Sequence, residues 1–227
     1  YEFISKNDLS FFQGNVVKYV CRYQRKGGVE DLKKIVHYCQ LEMLKINDMK
    51  TLQFVDILAI GAHPDDVEMS SGATIAKEIA KGRTVGILDL TQGELGTRGT
   101  PEIRHGEAME AAKILGVSFR HNLGLADGFF ENNKESQLKV IEIIRATRPK
   151  IVLCNAIEDR HIDHPKGSRL VSDACFLSGL KNIETTQDGL IQEAWRPKHV
   201  YHYIQWNDLE PDFVVDVTGY METKLAA

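Results

Sequence analysis

The chain has 227 residues, 43% of them hydrophobic, with 28 Lys and Arg against 32 Asp and Glu and a formal charge of −4. That composition supplies a sizeable core, argues against global disorder, and lacks the basic excess of a duplex-binding surface. No apolar run approaches the roughly 18 residues of a membrane span, Tyr1–Lys6 has no leader pattern, and Cys21, Cys39, Cys154 and Cys175 form no C-x-x-C pair, so they read as reduced thiols of a cytoplasmic protein.

Phe12, Val16, Tyr19, Val20 and Tyr23 recur at helical spacing and predict a helix from Ser10 to Lys26, broken by Gly27-Gly28. A second helix is expected from Val29 to about Ile46, with Leu32, Ile35, Val36, Cys39 and Met43 on one face. Residues 1–48 thus read as a helical hairpin with a solvated basic face, too small to bury much core alone. From residue 54 the pattern alternates strand and helix. Strands are predicted at Phe54–Gly61, Thr84–Thr91, Ser118–Leu123, Lys150–Asn155, His199–Gln205 and Phe213–Val217. Helices are predicted at Val67–Lys81, from Pro101 to Gly116, at Gln137–Thr147 and from about His164 to Leu180. Gln92–Thr100 is a Gly-rich loop and residues 182–194 are a weakly patterned one. This order predicts an α/β fold for residues 49–227: a Rossmann-like, doubly wound, mostly parallel sheet with helices on both faces.

Two polar clusters follow apolar strands. His63-Pro64-Asp65-Asp66 ends the first, and Arg160-His161-Ile162-Asp163-His164-Pro165 follows the fourth. In a doubly wound sheet these two strands are commonly neighbours at the switch point, where ligands bind. Three His and three Asp would then share one crevice. Three protein ligands with an open position suit catalytic zinc; two His and one carboxylate also suit iron(II). Neither loop contains Cys, which argues against a closed structural zinc site. One carboxylate must stay free to take a proton from water, and adjacent Asp65 and Asp66 allow one to bind and the other to act as base. A His near a substrate carbonyl can stabilise an oxyanion or protonate a leaving amine. An Asp beside that His can fix its tautomer. Singly, each residue could be a helix cap or a satisfied strand-end group; two such clusters in one α/β pattern weaken that alternative. No G-x-G-x-x-G follows the first strand, which argues against a dinucleotide site.

Ala62-His63-Pro64-Asp65-Asp66 together with His161-Ile162-Asp163-His164 resembles the LmbE/PIG-L family of metal-dependent N-acetylglucosamine deacetylases, over residues 52–220. Gln92–Thr100, Asn122–Gly128 and Trp195–Tyr203 resemble its bacillithiol-biosynthesis branch, which deacetylates N-acetylglucosaminyl malate. The resemblance implies zinc (Zn2+), with Fe2+ as the alternative, on His63, Asp66 and His164. It implies Asp65 as general base, His161 as oxyanion stabiliser or amine acid, and Asp163 as the partner that orients His161. It implies a small-molecule GlcNAc conjugate as substrate, a homo-oligomer, and no membrane or nucleic-acid partner for this domain. A chitooligosaccharide or inositol conjugate is the nearest alternative substrate. Arg98 is the first choice for substrate binding, because a guanidinium grips carboxylates bidentately and malate carries two. Glu94, Arg160 and Tyr203 are the other candidates, with Gln205 along the same wall; Tyr203 and Gln205 divide evenly between pocket lining and core or rim packing, and Arg104 between substrate contact and helix-surface charge. Phe129-Phe130 reads as a loop anchor more than as a sugar platform.

In the first segment, Gly14-Asn15, Lys18-Tyr19, Arg22 and Lys26–Leu32 resemble a phage-associated family of small helical proteins, sometimes labelled nucleotide-kinase-like. The Gly-Gly pair lacks phosphate-loop spacing. This leaves a phage-type binding or assembly module as the rival functional class. Relatives of residues 52–220 commonly begin with Met-Lys, as at Met49-Lys50, so residues 1–48 are expected to be a native extension or a fused piece. Those relatives also carry a longer final helix, so the one begun at Met221 is expected to be cut short.

Overall fold

The computed structural model describes residues 9, 11–50, 52–187 and 189–227, with backbone alone at 11 and 40–50. The leader reading at Tyr1–Lys6 and the side chains of Met43, Met49 and Lys50 lie outside the described residues. Two compact units are present, Tyr1–Thr51 and Leu52–Ala227.

The first unit pairs α1 (Phe11–Arg22) with α2 (Gly28–Lys50). Helix α1 ends earlier than its periodicity predicts. Tyr23–Gly27 form a turn closed where Gly28 N donates to Tyr23 O at 2.8 Å. Two parallel bonds from Arg22 to Asp31 (2.8 and 3.0 Å) tie the helices together, and Tyr19 stacks on Tyr38 at 5.8 Å. The inward face of α2 is therefore Asp31, Ile35 and Tyr38. Leu32, Val36 and Cys39, predicted to share the buried face, are exposed.

In the second unit the strand–helix alternation folds as predicted. Strands β1 (Ile57–Gly61), β2 (Val85–Thr91), β3 (Phe119–Leu125), β4 (Ile151–Cys154) and β7 (His199–His202) form one sheet in the order β3-β2-β1-β4-β7. All its pairings are parallel. Residues in β1 and β2 are buried on both faces, which is why these strands are almost continuously apolar. Helices α3 (Asp66–Ala80), α4 (Pro101–Leu115) and the short α7 (Met221–Ala226) contact one another, and α5 (Lys134–Thr147) packs with α6 (Asp163–Leu177). The strand order reverses direction between β1 and β4, and right-handed crossovers put these two sets on opposite faces. Ile57, Ala59, Val67, Ile75, Val85, Ile87 and Leu115 form a core cluster between the sheet and its first helices.

Local chemistry sets the helix ends. Thr100 caps α4 through Ile103 N with Pro101 at its first position, and Asn133 caps α5 through Ser136 N, starting that helix three residues before its apolar pattern does. Two expectations fail. Residues 182–194, read as loop, contain the antiparallel pair β5 (Thr186–Gln187) and β6 (Leu190–Ile191). Phe213–Val217 is no strand: Phe213, Val214 and Val215 are exposed, and no described strand takes up their backbone groups.

Buried Arg145 on α5 fastens the end of α6 by donating to the carbonyls of Ser178 (3.0 Å), Leu180 (2.9 Å) and Ile183 (2.7 Å) and to Thr185 Oγ1 (2.8 Å). The cation faces the carbonyl-rich end of a helix dipole. Arg145→Met leaves these acceptors unpaired and is expected to cost about 2–3 kcal/mol. The shift of the urea midpoint, at unchanged slope, measures it.

Candidate active site

The loops after β1 and β4 lie side by side because the two strands are paired, with Ile57 opposite Ile151 and Ala59 opposite Leu153. The first loop is pinned at its root: Ala62 N donates to Asn155 Oδ1 (2.9 Å) and Thr91 Oγ1 donates to Ala62 O (2.8 Å). The rings of His63, His161 and His164 then converge, with centroids 4.6 Å (63 to 161) and 4.9 Å (161 to 164) apart.

Asp66, in the first turn of α3, is the centre of this group and only 4% exposed. Its Oδ2 accepts from His63 N (2.9 Å) and Asn155 Nδ2 (3.0 Å); its Oδ1 accepts from Gln205 Nε2 (2.9 Å) and lies 3.1 Å from His164 Nε2. His63 Nδ1 is 3.5 Å from Oδ2. Burial works against the Asp66 charge, but His164 and His63 outweigh it and depress its pKa. The other nitrogen of His63, Nε2, faces Asp127 Oδ1 (3.1 Å) and Asp163 Oδ2 (3.4 Å). Burial alone would lower the His63 pKa; hydrogen bonding to Asp66 and the charges of Asp66, Asp127 and Asp163 raise it to about 9.

Asp65 stands apart from that set. Its side chain is half exposed, and Arg104 Nη2 donates to its Oδ2 at 3.1 Å. The walls of the crevice and the neighbouring Asp66 charge push its pKa up, against the pull of Arg104. An elevated carboxylate pKa suits a general base. His161 is exposed, and desolvation together with the neighbouring imidazoles lowers its pKa.

The donors fit a metal ion. His164 Nε2 is 3.1 Å from Asp66 Oδ1 and His63 Nδ1 is 3.5 Å from Asp66 Oδ2, and each pair by itself has the separation of two atoms about 2.0–2.1 Å from a tetrahedral ion. Ring nitrogens of His63, His161 and His164 lie within 4.8 Å of one another, as do ligand atoms of His63, Asp127 and Asp163; Asp66 belongs to neither of these two groups. A carboxylate on the far nitrogen of His63 is the usual support of a metal-bound imidazole. Two His and one carboxylate suit zinc or iron(II).

Several predicted roles meet different surroundings. The Asp163 carboxylate, 0% exposed, turns toward His63 and is held by Gly128 N (2.7 Å) and Lys166 Nζ (2.7 Å). The His161 ring meets Asp163 through its backbone, Nδ1 accepting from the Asp163 N–H at 3.3 Å, while the carboxylate acts on it only through its charge. Gly128 can aim that N–H because its φ of 71° is open to glycine. Tyr203 does not line the crevice with its hydroxyl: the group is buried and donates to Ile60 O at 2.8 Å. Glu94 accepts from Asp127 N (2.8 Å), so it shapes the loop. Arg98 and Arg160 are exposed, and Arg160 lies over the Trp206 ring at 4.2 Å. Arg104, not Arg98, is the guanidinium beside Asp65. The sequence pattern also passes over Asp127, Asn155 and Asp159; their one local signal is a polar residue placed just after an apolar strand.

Comparison with known proteins adds the following. Residues 58–175 match the family described as GlcNAc-PI de-N-acetylase (PIG-L), and residues 2–40 match a family of unknown function, DUF3310. The diacetylchitobiose deacetylase of Thermococcus kodakarensis is 30% identical over 193 residues, 80% of this chain and 68% of its own. The 1D-myo-inositol 2-acetamido-2-deoxy-alpha-D-glucopyranoside deacetylase of Thermobispora bispora is 27% identical over 66% of this chain, which spans 59% of that relative's length. Among solved structures, the conserved protein TT1542 from Thermus thermophilus superposes with a TM-score of 0.71 at 38% identity, covering 76% of each chain.

Proposed function

Because the chain belongs to the GlcNAc-PI de-N-acetylase family, a family of deacetylases, we propose that its crevice hydrolyses the acetamide of an N-acetylglucosamine conjugate, with zinc held by His63, Asp66 and His164. One observation carries this reading: Asp66 lies between ring nitrogens of two histidines while its neighbour Asp65 stays outside the cluster beside Arg104. Bound there, zinc supplies Lewis acidity, polarising the acetyl carbonyl and acidifying a water molecule.

The chain's own groups do the rest. Asp65 takes the proton of the attacking water at its carboxylate, and Arg104 fixes the direction of that carboxylate. His161, exposed at the mouth of the cluster, donates a hydrogen bond to the developing oxyanion or delivers a proton to the departing amine. Asp127 and Asp163 hold the proton on His63 Nε2, which leaves Nδ1 for the ion. Acetate and a glucosaminyl conjugate are the products.

N-acetylglucosaminyl malate is the first-choice substrate. The resemblance to the bacillithiol branch supports it, as it supports a homo-oligomer, and exposed Arg98 and Arg160 favour a carboxylated aglycone. The named activities of two relatives make diacetylchitobiose and the inositol conjugate the competitors. Acetate release by zinc-loaded protein from the three compounds ranks them. The malate conjugate is expected to be fastest, and no acetate from any of them overturns the reading.

Metal uptake should depend on pH. In the metal-free protein His63 holds a second proton up to about pH 9, and the ion must displace it. Apparent zinc affinity is therefore expected to rise about tenfold per pH unit from pH 6.5 toward 9, and more steeply where His164, whose pKa is also raised, against burial, by Asp66, is still protonated. Chelator competition at three pH values measures that slope.

A further inference from the structure

We propose that Asp159 is the positioning residue that orients His164 and fastens the Gln205–Trp206 loop over Asp66. The inference rests on the ligand set given above. The Asp159 side chain is 1% exposed although it belongs to a polar loop. Its Oδ1 accepts from His161 N (2.9 Å) and its Oδ2 from Trp206 N (3.0 Å). His164 Nδ1 is buried with no aligned hydrogen-bond partner, and Asp159 Oδ1 lies 3.0 Å from it.

That contact decides which nitrogen His164 offers. A proton kept on Nδ1 by a carboxylate leaves the Nε2 lone pair directed at the Asp66 side of the ring, where Oδ1 is 3.1 Å away. The second oxygen extends the effect. Trp206 follows Gln205, whose Nε2 donates to Asp66 Oδ1 at 2.9 Å and whose Oε1 accepts from Asn155 Nδ2 at 2.8 Å. One buried carboxylate therefore supports one ligand directly and the clamp on another through the backbone. His161, whose backbone N–H donates to Asp159 Oδ1, takes its backbone position from the same group.

Cobalt(II) titration of the full chain, with chelator competition, tests this. Asp159→Ala is expected to weaken metal binding about 10- to 100-fold and to alter the visible d–d spectrum at full occupancy, with far-UV circular dichroism unchanged. Asp159→Asn keeps one acceptor oxygen for Nδ1–H but sets an amide N–H against the Trp206 N–H, so it should recover part of the affinity. Equal affinities and spectra for Asp159→Ala and the parent overturn the proposal. So do equal losses for Asp159→Ala and Asp159→Asn, since any deletion of the carboxylate would then act alike. His164→Ala separates this failure from failure of the ligand set: if it keeps parental affinity, the ligand set itself is wrong; if it loses the metal while Asp159→Ala does not, only the role of Asp159 falls.

Discussion

Asp65→Asn is expected to lower kcat for acetate release by about 10²- to 10⁴-fold while leaving metal content unchanged. Asparagine has almost the same shape and can still accept from Arg104, whose Nη2 is 3.1 Å from the Asp65 carboxylate. What it loses is the capacity to take a proton. Asp65 is outside the group of side chains around Asp66, so elemental analysis of the variant should match the parent protein. Near-parental turnover would remove Asp65 from the base role. A loss of metal would mean that Asp65, and not Asp66 alone, belongs to the ligand set.

The largest effect on stability is expected from Arg120→Met. Arg120 on β3 is 4% exposed. Its Nε and Nη2 donate to the two oxygens of Asp89 (2.7 and 2.9 Å), and its Nη1 donates to Glu68 and to Ala108 O. Burial disfavours the guanidinium charge, but Asp89 and Glu68 hold it more firmly protonated. Removing it strands two carboxylates in the interior, and breaking such a buried pair costs about 3–5 kcal/mol. In a unit of this size that corresponds to a fall in melting temperature of roughly 10 °C. Calorimetry checks it, and the double variant Arg120→Met with Asp89→Leu should regain part of the loss. A fall below about 2 °C would mean that water reaches the cluster.

Much of this fold is legible because its signals are local. Apolar runs at Ile57–Gly61 and Val85–Thr91, the second broken only by Asp89 and ending in Thr91, and each followed by helical spacing, are what strands buried on both faces look like. His63, Asp66, His161 and His164 follow apolar strands, and the pairing of β1 with β4 brings them together, with Asp65 outside that group beside Arg104. The supports of that cluster were not legible. Asp127, Asn155 and Asp159 hold groups that are mostly distant in the chain, such as His63 and Asp66, and no period links them. Asp163 misleads because its place in the motif suggests His161, whereas the turn at Gly128 and the charge of Lys166 draw its carboxylate to His63. Tyr203 stays open in the sequence because a strand-end tyrosine can face either a cavity or a backbone carbonyl, and Ile60 O takes its hydroxyl. Phe213–Val217 has strand composition but no neighbour to pair with, and composition alone cannot provide one.

The strand order also sets a schedule for synthesis. Strand β1 can pair with β2 soon after both leave the ribosome, but its other edge waits for β4, about 90 residues later. At roughly 5–20 residues per second, that edge stays uncovered for several seconds. The exposed segment, Ile57-Leu58-Ala59-Ile60, is uncharged and β-prone, the kind of sequence that pairs with other chains when left open. Newly made protein is thus most vulnerable to aggregation in that interval, and chaperone capacity or a lower expression temperature should govern its soluble yield more than the stability of the finished fold.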